Sequence, residues 1–140
     1  MTVCQMCTKW HDEPDLRVAM LERCHVMLNR DQFFPGYCFV FTRSHVTELF
    51  HLDPDARAAV MEEVSAVAAA LHRVFSPTKI NYELLGNMVP HMHWHIVPRF
   101  TTDPLWPRPI WSEPHAPVEL AVADYAERIS LIRNKLRECG

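Results

Sequence analysis

Apolar and polar positions change period several times along this chain, and each change marks an element. Residues 16–22 and 25–30 read as two short strands. The stretch 31–36 (DQFFPG) carries Pro35-Gly36 and reads as a turn. Residues 37–42 (YCFVFT) are aromatic and β-branched enough for a buried strand, and 46–52 reads as a short helical turn. The clearest helix follows. Asp53 suits the cap, Pro54 suits the first helical position, and Val60, Val64, Val67, Leu71 and Val74 recur every three or four residues. Ser76-Pro77 should end it near Phe75.

Residues 79–85 and 88–99 then read as strands around Gly86-Asn87. A proline-rich loop with Trp106 and Trp111 follows over 101–117. The chain closes on a helix over 118–138 with Leu120, Ala123, Ile129, Ile132 and Leu136 inward. Residues 1–15 read as an irregular N-terminal segment. Strands in runs with few helices between them predict an α+β class: an antiparallel sheet of about five strands with the long helix on one face. The expectation is one domain over 1–140, with its core in 16–100.

The totals bound the function. Net charge is -3 and the sequence pI is near 6.3, so a basic nucleic-acid-binding face is not expected. No apolar run reaches the roughly 18 residues of a membrane span, and the first fifteen residues lack the apolar stretch of a signal peptide. A cytoplasmic location is the expectation, with the five cysteines as thiols or metal ligands. Eleven prolines against three glycines point to well-defined loops.

Three of the nine histidines crowd into five residues, His91-Met92-His93-Trp94-His95. On a strand, alternate side chains share a side. His91, His93 and His95 then take one face, while Met92, Trp94 and Ile96 take the other. Packing explains the apolar set but not the histidines. A surface ladder, a metal site built from all three, and covalent catalysis are the readings open to them.

The stretch GNMVPHMHWHIVPR resembles the signature of the histidine triad (HIT) superfamily, and LNRDQFFPGYCFVFTRSHVTELFHLDPD resembles the strand, turn, strand and Arg-x-His element that precede it. The likeness covers residues 16–100. The Pro98-Arg99 ending is more similar to the family's dinucleoside polyphosphate hydrolases than to its nucleoside phosphoramidases. The resemblance implies a HIT fold and a homodimer. It also implies hydrolysis at the α-phosphate of a small nucleotide conjugate through a covalent nucleotidyl-histidine. His93 would be the nucleophile, one ring nitrogen held by the carbonyl of His91. His95 would donate to the phosphate, Asn87 would add a donor, and Asn29 would contact the ribose. A nucleotidyltransferase, a nucleoside phosphoramidase, or a zinc-stabilised nucleotide-binding module with little turnover are the alternatives.

Two positions depart from the family pattern. Gly36-Tyr37 stands where Gly-His is common, and Asn87-Met88 stands where Gln is followed by Ser or Thr. Met88 has no donor for a leaving group.

Cys4 and Cys7 form a C-x-x-C pair, which suggests a redox motif or half a zinc site. A redox reading lacks the surrounding βαβ pattern. The resemblance to zinc-holding triad proteins implies a structural Zn2+ on Cys4, Cys7, His45 and His91, against two reduced cysteines on a loose segment. His11, His25, His51, His72 and His115 read as surface or loop residues. Cys24 and Cys38 read as core, and Cys139 as a terminal thiol. Trp106 and Trp111 are expected to serve loop packing or a dimer contact before a pocket rim.

Overall fold

In the computed structural model, which describes residues 3–139, one five-stranded antiparallel sheet carries the chain's elements. Its strands are β1 (Arg17–Met20), β2 (Cys24–Leu28), β3 (Cys38–Thr42), β4 (Lys79–Leu84) and β5 (His93–Arg99), in the spatial order β1-β2-β3-β5-β4. The helices are α1 (Gln5–Asp12), α2 (Pro54–Phe75) and α3 (Val122–Cys139). This is the α+β architecture expected, with the long helix on one face. Among the described residues no helix is long and apolar enough to cross a membrane.

The predicted signals of α2 act as expected. Asp53 accepts a hydrogen bond from the Ala56 N–H at 2.9 Å, and Pro54 opens the first turn. Ser76 ends the helix in a left-handed conformation (φ 49°), its N–H donating to the His72 carbonyl. Val60, Val64, Val67 and Leu71 are buried against the sheet face that also carries Val26, Val40, Trp94 and Ile96. α3 lies beside α2 and reaches β1.

The opposite face bears a smaller cluster of Phe34, Tyr37, Val97, Leu105 and Ile110. The alternation along β5 thus divides as predicted: Trp94 and Ile96 go to the main core, and Val97 goes to the second.

Gly36 sets the entry to β3. Its φ is +88°, and a Cβ there would stand 2.7 Å from the Phe75 ring. Both the conformation and the close approach require glycine.

Three expectations need correction. Residues 5–12 form α1, where the sequence suggested irregular chain. Only Met6 and Trp10 turn inward on it, and an eight-residue helix has little stability alone. Packing supplies the rest: Trp10 stacks on His25 at 4.3 Å between centroids, so His25 is half-buried rather than a plain surface residue.

The triad strand begins at His93, not at residue 88. The His91 N–H donates to the Val89 carbonyl in a tight turn, and Met92 exchanges backbone bonds with Val46 and Thr42 instead of extending the ladder. α3 starts at Val122, because residue 118 is held extended by Asp31 and Gln32. Ala123 is consequently exposed, and Tyr125 takes the inward position with Ile129, Ile132 and Leu136. Cys24 and Cys38 are core residues; the thiol of Cys139 lies outside the described residues.

Candidate active site and metal cluster

The second sheet face carries His93 and His95. Pairing of β3 with β5 sets Phe39 opposite His95 and Phe41 opposite His93. Both histidines are almost buried, each 7% exposed, so their ring nitrogens need definite partners. His93 Nδ1 lies 2.6 Å from the carbonyl oxygen of His91. A carbonyl only accepts, so Nδ1 carries a proton, and in the neutral imidazole Nε2 is then the nitrogen with the lone pair. His95 Nδ1 lies 2.6 Å from the Tyr37 hydroxyl. Burial, with His93 beside it, pushes His95 down to about 4, so it is neutral near pH 7.

His91 differs from the other two. It precedes the strand, and its ring reaches the N-terminal helix. Its Nδ1 lies 3.6 Å from Cys4 Sγ and 3.4 Å from Cys7 Sγ, and Cys7 Sγ lies 3.3 Å from His45 Nδ1. The ligand atoms of all four residues fall within 4.8 Å of one another.

The donor set fits a tetrahedral metal ion. Bonds of about 2.3 Å to sulfur and 2.0 Å to nitrogen place ligand atoms roughly 3.3–3.8 Å apart. His91 Nε2 donates to the Thr42 carbonyl at 2.7 Å, which leaves Nδ1 as the free donor toward the cluster. Burial lowers the His91 imidazole below its ordinary value and favours the neutral form that a metal takes. The C-x-x-C spacing sits on the first turn of α1, where Cys7 N–H bonds to the Cys4 carbonyl and both sulfurs face His91. The structure therefore brings together all four residues expected to bind metal.

Three clefts meet at His95. One runs along α1, past Gln5, Thr8 and Lys9 to Phe39 and His93. A second is lined by Asn29, Asp31, Phe34, Tyr37, Trp111 and His115. A third lies under residues 85–89, with Asn87 and Met88 on its wall beside His93. Asn87 thus shares a cleft with both histidines, and Asn29 shares a different one with His95.

Three features at this site were not legible in the sequence. α1 forms a wall. Tyr37 contacts His95. Trp111, half exposed, sits 5.3 Å from the His95 ring and donates from its indole N–H to Glu83 at 2.6 Å. The two tryptophans of the loop separate: Trp106 packs near Arg99, while Trp111 lines the site. His115 stacks on Phe33 at 3.7 Å on the rim of the second cleft. The gap at the Gly-His position had suggested only a missing histidine.

With this geometry, comparison with known proteins gives one family. The HIT domain model matches residues 11–102, more than half of the chain, and the protein belongs to the HIT domain family. A histidine triad protein from Bradyrhizobium japonicum has 30% identity and a TM-score of 0.81, covering 90% of this chain and 94% of its own. One from Marinobacter aquaeolei VT8 has 26% identity and a TM-score of 0.83, covering 99% and 100%. Protein hit of Bacillus subtilis (strain 168) is 26% identical over an alignment of 94 residues that covers 64% of this chain and 65% of that protein's length.

Two more distant structures share the fold: a zinc-bound histidine triad family protein from Mycobacterium smegmatis (21% identity, TM-score 0.69, covering 96% of this chain and 94% of its own) and a Plasmodium falciparum diadenosine triphosphate hydrolase (16%, 0.67, covering 89% and 78%).

Proposed function

We propose that the protein hydrolyses a nucleotide conjugate, such as a dinucleoside polyphosphate, at its α-phosphate. The reaction would pass through a covalent nucleotidyl-histidine on His93. The observation that carries this is the 2.6 Å contact from His93 Nδ1 to the His91 carbonyl. It leaves Nε2 unprotonated and aimed for in-line attack on phosphorus.

The N–P bond forms as the bridging P–O bond breaks, and the conjugate's remainder departs with its oxygen. Water then attacks the same phosphorus, breaks the N–P bond and releases the mononucleotide. His95 donates a hydrogen bond to the phosphate oxygens. Asn87 adds a second donor, and Asn29 meets the ribose. His91 supplies the orienting carbonyl. The diadenosine triphosphate hydrolase among the fold relatives acts on a conjugate of this class.

Zn2+ on Cys4, Cys7, His45 and His91 is part of the same proposal. Four protein ligands leave no open position, so the ion supplies structure, not Lewis-acid chemistry. It ties α1 to the residue whose carbonyl orients His93.

The proposal also takes the chain as one domain acting in the cytoplasm, in keeping with reduced Cys24 and Cys38 in the core. It takes the working form as a homodimer. In support, β4 is a sheet edge with Tyr82 exposed, and Leu85 and Met88 are exposed just beyond it.

Rapid quench with a radiolabelled diadenosine triphosphate tests the reaction. The wild type should show a burst of label on the His93 peptide. His93→Ala should lose both burst and turnover while still binding nucleotide. His95→Ala should slow turnover by roughly 10²–10³-fold, the loss of one transition-state donor. Label on His95, or full turnover by His93→Ala, would place the chemistry elsewhere.

A further inference from the structure

His93 and His95 are neighbours on one face, 5.0 Å apart between ring centroids, yet their buried nitrogens meet opposite kinds of partner. The Nδ1 of His93 meets a carbonyl, which can only accept. The Nδ1 of His95 meets the phenol of Tyr37, which can donate. We propose that Tyr37 is a positioning residue that locks His95 in the tautomer with its proton on Nε2, the phenol O–H donating to Nδ1. The inference rests on the phosphate-donor role given to His95 above, and it names the residue that makes that role possible.

Tyr37 is 6% exposed. Burial, with Glu83 and Asp31 nearby, raises its phenol above the ordinary tyrosine range, so it keeps its proton under working conditions. A buried neutral phenol has one proton to place, and among the described residues its one hydrogen-bond partner is His95 Nδ1.

The phenol cannot easily turn elsewhere. Gly36 brings the chain into β3 at a conformation only glycine fits, and the Tyr37 carbonyl accepts from the Asn29 N–H at 2.9 Å and Gln32 Nε2 at 3.1 Å. The ring packs against Phe39 at 5.4 Å. Two adjacent imidazoles are thereby set in opposite tautomers. His93 offers a lone pair to the clefts, and His95 offers an N–H beside it. An attacking nitrogen and a donor to the phosphate need that pairing. A neutral His95 free to exchange tautomers would spend part of its time offering a second lone pair, which repels phosphate oxygen.

Histidine-selective 15N–1H correlation spectroscopy of the whole metal-loaded protein near neutral pH tests this. The wild type should show His95 protonated at Nε2 alone and His93 at Nδ1. Tyr37→Phe should give a mixture of the two His95 tautomers. Its kcat on diadenosine triphosphate should fall about tenfold or more, with KM little changed, yet by less than the roughly 10²–10³-fold expected for losing His95 altogether. Tyr37→His, whose imidazole can donate in the phenol's place, should restore both the tautomer and most of kcat.

His95 protonated at Nδ1 in the wild type would overturn the proposal, as would a pure Nε2–H population with unchanged kcat in Tyr37→Phe. If the phenylalanine variant does not fold, the wild-type spectrum still decides the tautomer. The spectrum needs no substrate. A locked tautomer in a protein that turns over no nucleotide conjugate would fail the hydrolase reading alone.

Discussion

Replacing Arg99 should be among the most damaging changes to this protein that touch no reacting group. Its guanidinium is nearly sealed, the side chain 2% exposed and its partner Asp103 5% exposed. Nε donates to Asp103 Oδ2 at 2.6 Å, Nη1 to Asn81 Oδ1 at 2.9 Å, and Nη2 to the Arg108 carbonyl at 2.8 Å. One side chain thus ties the last residue of β5 to the neighbouring strand and to two points, Asp103 and Arg108, of the loop that carries Trp111. Arg99→Met removes the guanidinium that lies over the Phe34 ring and leaves the Asp103 carboxylate buried, with only the Leu105 N–H among the described residues to satisfy it.

Breaking one partner of a buried pair costs about 3–5 kcal/mol. In a domain of this size that corresponds to a fall in Tm of roughly 10–15 °C. Urea unfolding of zinc-loaded protein, followed by circular dichroism, measures the loss. Arg99→Met with Asp103→Leu removes both charges, and it should lose clearly less than the sum of the two single changes. A single-variant loss below about 1 kcal/mol, the range of an exposed pair, would refute the argument. So would strict additivity in the double variant.

Two further outcomes follow from the site. Purified untagged protein should contain about one zinc per chain, and Cys4→Ser with Cys7→Ser should lose both the metal and stability, because metal binding contributes folding free energy; unchanged zinc content in that variant would sink the ligand assignment. His95 titrates near 6.5 when unfolded and is pushed down to about 4 by burial in the native protein. The unfolded chain therefore binds its proton first, so the stability contributed by neutral His95 is fully present above about 6.5 and declines as pH falls from there toward 4. His95→Gln should remove that decline relative to wild type in denaturant titrations across the same range; identical pH slopes for the two proteins would contradict it.

Residue order alone determined the parts of this molecule that depend on local period and local chemistry. α2 was legible to the residue, because its cap, its first-turn proline and its stop all act within one turn of the positions they mark. The division of β5, with Trp94 and Ile96 to the core and His93 and His95 to the site, follows from strand alternation, which holds whatever the strand packs against. The metal cluster was legible as a set only through the family resemblance, because C-x-x-C spacing by itself marks a redox pair or half a zinc site and names neither histidine.

Tertiary packing decided the rest. α1 is too short and too polar to declare itself, and it forms because Trp10 lies on His25 and its cysteines face His91. His91 leaves the strand because residues 46 and 42 capture the backbone of Met92, an interaction across roughly fifty residues that no local pattern encodes. Tyr37 looked like the loss of a histidine, since the contact that gives it a role lies 58 residues away at His95. Trp111 could equally have packed within its own loop. It reaches the site because the buried Arg99 holds that loop at the end of the strand carrying His93 and His95.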